Sequence, residues 1–127
     1  VEFINELAVK VVRKARPCAA CSTTVQVGDS AVSWAGKVDG EFGFALYHPE
    51  CRQAEMDLNK LHGTHLHAAD WFGLDDIEPD DHEWLLEKHP VVAARMGITS
   101  ESIKEYEEQC SLRRRSLITA AVVGAPS

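Results

Sequence analysis

No stretch of this 127-residue chain comes near the roughly 20 consecutive apolar residues that a membrane-spanning helix requires. The opening residues, Val1-Glu2-Phe3-Ile4-Asn5-Glu6, also lack the basic-then-apolar order of a secretory signal. A cytoplasmic chain without a membrane partner is therefore expected. No internal repeat is present. Positive charge is scarce as well: 13 Lys and Arg face 20 Asp and Glu, a net charge of −7. Residues 62–109 account for the deficit, with 3 basic residues against 12 acidic ones, whereas residues 1–61 hold 7 against 8 and residues 110–127 hold 3 against none. So acidic a segment repels phosphate, which argues against the whole chain lying along nucleic acid. The rest of the composition is ordinary. With 45% apolar and 26% charged residues, the chain suits one globular domain or a small module with a helical appendage.

Cysteine is sparse, with four in all, yet three of them fall in a pattern with a histidine. Cys18-Ala19-Ala20-Cys21 supplies two thiols and His48-Pro49-Glu50-Cys51 an imidazole and a third thiol. Three thiolates and an imidazole complete a tetrahedral shell for zinc, and ligands two residues apart within each pair can bite one metal without backbone strain. Reducing conditions favour metal over cystine. One structural zinc on Cys18, Cys21, His48 and Cys51 is expected, with no coordination position left for water. Its binding energy would count as folding energy. Cys110, alone in a charged helical stretch, reads as a free thiol.

Along the chain, a short helix or cap is expected before a strand over residues 8–14. Pro17 should stop regular pairing and deliver Cys18 into a tight knuckle. Residues 24–27, the Gly28-Asp29 turn and residues 30–35, which carry Trp34, read as strand, turn and strand. Asp39-Gly40 is the strongest hairpin signal, because a type I′ turn needs positive φ at both central residues. Residues 42–47 form the return strand. Pro49 suits the first position of a helix and Gly63 a left-handed stop beyond Leu61, with Cys51, Ala54, Leu58 and Leu61 on one face. Pro79 opens a second helix, a third runs over residues 91–96 to Gly97, and Thr99 caps a fourth whose far end carries Arg113, Arg114 and Arg115. Residues 117–123 either extend that helix or pack as a tail.

Residues 15–56, about a third of the chain, present in order the CxxC pair, a glycine turn, a strand, the Asp39-Gly40 loop, an aromatic strand and Tyr47-His48-Pro49-Glu50-Cys51. This order resembles the treble-clef-like zinc fingers of poly(ADP-ribose) polymerases and DNA ligase III. Small zinc-finger proteins of bacteria and phages with a His-Pro-Glu-Cys second pair look more similar still. The resemblance implies the same four zinc ligands and contact with DNA ends or junctions. In the eukaryotic fingers basic residues and an apolar loop meet exposed bases there. Between its ligand pairs this chain carries a single basic residue, Lys37.

The other constellations are weaker. Lys10, Arg13, Lys14 and Arg16 are the candidate nucleic-acid contacts, with Trp34 either stacking on a base beside them or filling the small core. Ala93, Gly97 and Ile103 match helix-turn-helix spacing, but a recognition helix reading Ser100-Glu101-Ser102-Ile103-Lys104-Glu105-Tyr106-Glu107-Glu108-Gln109 would be repelled from DNA, so ordinary helix contact is expected. His62, His65 and His67 with Asp70 match no mechanistic motif and read as a solvated loop, with a second metal or acid–base site, as of a histidine-based metal enzyme, as the alternative. The expectation is an α+β protein: a zinc-finger module over residues 1–62, then an acidic helical region over residues 63–127. It is expected to be non-catalytic and to bind a protein partner through Asp80, Asp81, Glu101, Glu105, Glu107 and Glu108. One form of this is an inhibitor of a nucleic-acid-binding host or defence complex. A DNA-binding role through the finger and its basic face is the alternative.

Overall fold

The computed structural model describes residues 3–38, 40–66 and 68–123. Along them the chain runs β1 (Phe3–Val9), β2 (Arg16–Pro17), β3 (Thr24–Val25), β4 (Ala31–Val38), β5 (Glu41–Tyr47), α1 (Pro49–Leu61), α2 (His82–Lys88), α3 (Pro90–Arg95) and α4 (Ser100–Val123). Single 3-10 turns at Leu74–Asp76 and Pro79–Asp81 precede α2. The class is the expected α+β.

β1, β4 and β5 form an antiparallel sheet in the order β1-β4-β5. The β4–β5 hairpin closes with Val38 opposite Glu41, and Gly40 has φ +82°, a conformation that strains any residue with a Cβ. Asp39, the other residue expected in that turn, lies outside the described residues. The expected helix-then-strand over the first 14 residues is corrected: the strand comes earlier. β1 pairs along the length of β4, from Phe3 opposite Lys37 to Val9 opposite Ala31. Beyond Ala31 there is no partner, so residues 10–14 leave the sheet. They are held instead by buried Val12, whose N–H reaches Asp29 O at 2.8 Å and whose carbonyl accepts from Gly28 N at 2.8 Å.

A second correction concerns residues 24–35, which do not fold back on themselves. β3 is two residues long and pairs with β2, Arg16 opposite Val25 and Pro17 opposite Thr24, so Pro17 sits inside a short ladder. The Gly28 turn, at φ +94°, then carries the chain from that ladder to the other sheet.

Side chains alternate across a strand, and the register sorts them into two faces. Glu6, Trp34, Ala45 and Tyr47 share the face covered by α1, whose Arg52 meets Glu6 at 2.6 Å and lies 5.2 Å from the Tyr47 ring centroid. Leu7, Ala35, Phe42 and Phe44 share the other face. There Leu7, Phe42 and Phe44 are 55%, 79% and 56% exposed.

α1 begins where Pro49 follows the extended His48 and ends ahead of Gly63 at φ +77°. Cys51, Ala54 and Leu58 are fully buried as the stripe requires, but Leu61 is 52% exposed. Polar residues enlarge the buried side instead. Asn59 Nδ2 donates to the carbonyls of Glu55 and Phe72 at 2.9 Å, its Oδ1 accepts from Phe72 N at 3.1 Å, and Glu55 Oε1 accepts from Leu74 N at 2.9 Å. A helix covered by sheet on one side and by the 72–74 segment on the other has little room for a solvated flank.

Leu58, Leu74, Leu85, Val92, Ala93 and Ile98 belong to the same core as the cysteines, so buried contacts run on from the first half of the chain into the helices. Gly97 at φ +73° turns α3 into α4. Thr99 and Ser102 cap α4 reciprocally: Ser102 N donates to Thr99 Oγ1 at 3.0 Å and Thr99 N to Ser102 Oγ at 2.8 Å. Residues 117–123 extend α4. The expected helix at Pro79 starts instead as a 3-10 turn and becomes α-helical at His82. Among the described residues, no helix is long and apolar enough to cross a membrane.

Candidate metal centre

Two local structures bring the four donors together. In the first, Cys18 N donates to Thr23 O at 3.0 Å and Ser22 N to Cys18 O at 3.0 Å, curling the 18–23 segment into a knuckle. Ser22 takes φ +65° to complete it. The N–H of Ala19 reaches Leu46 O at 2.9 Å and fastens the knuckle to β5. In the second, His48 is the N-cap of α1 and Cys51 lies in its first turn, with Cys51 N donating to His48 O at 3.0 Å. β5 and α1 meet at His48, so the strand that anchors the knuckle also delivers the second pair.

The donor atoms of Cys18, Cys21, His48 and Cys51 lie within 4.8 Å of one another, and all four residues are buried. His48 Nδ1 is 3.4 Å from Cys21 Sγ and 3.7 Å from Cys51 Sγ, and no disulfide links the cysteines. Bond lengths of about 2.0–2.3 Å in a tetrahedron place donors roughly 3.3–3.8 Å apart, so this set fits one metal ion. Electrostatics agree. A hydrogen bond from the Cys51 thiol holds the Cys18 thiol down at about 4, and the same bond, together with burial, pushes Cys51 far up. Cys18 and Cys51 therefore share a proton, and a dication would let both ionise. With Nδ1 as donor, the imidazole proton belongs on Nε2.

An arginine from the helical half completes the surroundings. Arg95, at the end of α3, places Nη1 3.6 Å from Cys51 Sγ and 2.6 Å from Glu50 Oε1. Partial burial opposes the charge on Glu50, but its own backbone N–H and Arg95 outweigh it and hold the carboxyl below its ordinary range. Nothing in the spacing of residues 18–51 pointed to Arg95. It is 44 residues from Cys51, and only the α1–α3 contact joins them.

The remaining candidates are scattered. Lys10, Arg13, Lys14 and Arg16 are exposed, and the Arg16 guanidinium lies 5.1 Å over the Phe44 ring. Lys37 lies 5.7 Å over Phe42. Trp34 is not with them, because it points to the opposite face of β4 and lines a cavity with Tyr47, Arg52 and Trp71. Asp80, Glu101, Glu105, Glu107 and Glu108 are exposed, while half-buried Asp81 is bonded to His62 Nε2 at 2.7 Å. His62 is thereby engaged, His65 is exposed and His67 lies outside the described residues. Among the described residues the cysteine–histidine set is the only cluster of this kind with metal-holding geometry. Ala93 and Ile103 are buried and half-buried at the α3–α4 turn, as ordinary helix contact requires.

Comparison with protein families, characterised proteins and solved structures found no match to this chain.

Proposed function

We propose that this chain is a non-catalytic protein that holds one structural zinc on Cys18, Cys21, His48 and Cys51 and docks on a protein partner through its acidic helical half. The observation that carries the first part is the closed shell: four buried protein donors leave no position for substrate or water, the arrangement of a structural zinc. For the second part, a groove of about 460 Å³ runs between α2 and α4, with Glu83, Glu87 and Glu107, and one cation, Lys104, around Leu86 and Ile103. Carboxylates around an apolar floor suit a basic, amphipathic surface, such as a nucleic-acid-binding protein offers. Occupying that surface would make the chain an inhibitor.

The test is retrieval of partners on the zinc-loaded chain from extract of its own source, with a Glu83→Lys, Glu107→Lys double variant alongside. Recovery of a basic protein by the wild type only supports the reading. Equal recovery by both, or no specific partner, removes it.

A second reading rests on the exposed sheet face. Arg16 over Phe44 and Lys37 over Phe42 combine cations with aromatic rings on the face turned away from α1, the combination that serves single-stranded nucleic acid. If this reading holds, affinity for an oligonucleotide falls steeply with salt and weakens in Arg16→Glu and Lys14→Glu. Salt-insensitive binding, or none, excludes it.

A further inference from the structure

α4 is long for what it packs against. Its 24 residues span about 36 Å at 1.5 Å per residue, yet among the described residues it leans on α2 only near its start. From Lys104 to Leu117 every side chain is exposed except that of half-buried Cys110. A helix gains most of its stability by covering an apolar stripe, and this length covers almost none. Its charges are also unpaired along the helix. Glu101, Glu105, Glu107 and Glu108 lie in the first half, and Arg113, Arg114 and Arg115 follow. No carboxylate stands three or four residues from any of these arginines, the spacing at which a helix pairs its own charges. All three lie more than two turns short of Val123, outside the last turn where the helix dipole draws cations.

We propose that α4 pairs antiparallel with α4 of a second copy of this chain, about a two-fold axis at Cys110. Residues three, four and seven away from Cys110 share its side of the helix: Ile103, Tyr106 and Glu107 before it, Arg113, Arg114 and Leu117 after it. An antiparallel pair sets each of these on its counterpart at the same distance from the axis, so every contact occurs twice. Ile103 meets Leu117, which is 67% exposed. Exposed Tyr106 takes Arg114 over its ring, and Glu107 meets Arg113. A parallel pair would set Glu107 on Glu107 and arginine on arginine, so charge selects the direction. The arginine end finds further acid on the body of the second copy. Ile103 floors the groove edged by Glu83 and Glu87, and a smaller cleft of about 160 Å³ adds Asp80 beside Tyr106. A separate basic peptide in that groove would leave Leu117 and the arginines uncovered, whereas a second copy covers both ends of the helix with one segment. The pairing goes beyond the docking of the acidic half: Arg113, Arg114 and Leu117 take no part in that reading.

The test is sedimentation equilibrium of the full-length, zinc-loaded chain from micromolar to millimolar concentration. The expected result is a reversible equilibrium between monomer and dimer. Leu117→Asp and Arg113→Glu should each weaken the dimer about tenfold or more, since each change is felt twice across the axis. Leu112→Asp is the control: Leu112 is 62% exposed but lies on the opposite side of α4, and its change should leave the dimer intact. Glu107→Arg should also weaken the dimer, and the Glu107→Arg, Arg113→Glu double variant should restore it by exchanging the partners. Thermal unfolding confirms that these surface variants are folded. A short bismaleimide should join two copies through Cys110, the one cysteine outside the metal centre, and fail in Cys110→Ser. A monomer at millimolar concentration, a dimer indifferent to Leu117→Asp, or an exchange that restores nothing overturns the proposal. A chain that stays monomeric yet retrieves a basic partner from extract loses the pairing and keeps the docking of the acidic half. A dimer restored by the exchange supports the pairing even where extract yields no partner.

Discussion

The charged side chains inside this protein are few, and each depends on a partner from a different part of the chain. Arg52 is held between Glu6 and Glu55, at side-chain exposures of 4%, 28% and 2%. Removing one member of such a group leaves the others buried and unpaired, which costs more than the group contributes as a whole. Arg52→Ala is expected to lower unfolding free energy by about 3–5 kcal/mol, whereas the Arg52→Met, Glu55→Leu double variant should lose clearly less than the two single changes combined. Urea unfolding of the three variants measures both. Beside the candidate metal centre, Arg95 donates to the Cys51 sulfur. Arg95→Met should weaken metal affinity by about tenfold or more, read by competition with a chromogenic chelator. Glu50 gives the pH dependence. Its folded pKa lies below the ordinary 4.5, so its pairing with Arg95 stabilises the fold above that value and is lost as the pH falls through the depressed one. Glu50→Gln should therefore be less stable than the parent at neutral pH, and the two should converge in acid.

At the level of elements, short pieces are made definite by their ends. The reciprocal Thr99–Ser102 cap starts α4 directly after a glycine turn, so α3 and α4 cannot merge into one helix. Thr99→Ala is expected to cost about 1 kcal/mol, seen as a shift in denaturation midpoint with unchanged slope. The β2–β3 ladder is only two residues long, far below what holds a hairpin together in water. Its geometry depends on the knuckle and on Ala19 N reaching Leu46 O. Chelation is therefore expected to loosen β2 and β3 ahead of the β1-β4-β5 sheet. Amide exchange with and without a strong chelator would show protection lost first at Cys18 and Ser22. Uniform loss across both sheets would mean that the metal holds the whole fold at once.

The whole molecule is polarised. One face of the sheet carries Arg16 and Lys37 over exposed phenylalanines, and residues 62–109 carry 12 of the 20 carboxylates, many of them in the 70–81 segment ahead of α2. The two halves nevertheless share buried groups: Leu74 N caps Glu55, Phe72 satisfies Asn59, and Arg95 reaches Cys51. A fragment of residues 1–62 with zinc is thus expected to unfold at lower temperature and less cooperatively than the full chain, as calorimetry would show. A fragment as stable as the parent would mean that these contacts contribute little. By itself the sequence determined the donor set, the hairpin at Gly40, the α1 boundaries and the charge split, because each rests on local chemistry: ligand spacing, a glycine that tolerates positive φ, a proline at a helix start, a count of carboxylates. It misplaced β1, since alternation at residues 7–11 looks the same wherever the strand begins and only the length of β4 decides. For Trp34 the sequence left base stacking and core filling both open, because a one-residue step flips a side chain across the sheet, and that step is set by register with β1 and β5. Arg52, Glu55, Asn59 and Arg95 look like ordinary solvated helix residues until the segments that bury them arrive from elsewhere in the chain. Burial of charge is a property of three-dimensional neighbours, and only the tertiary structure decided it.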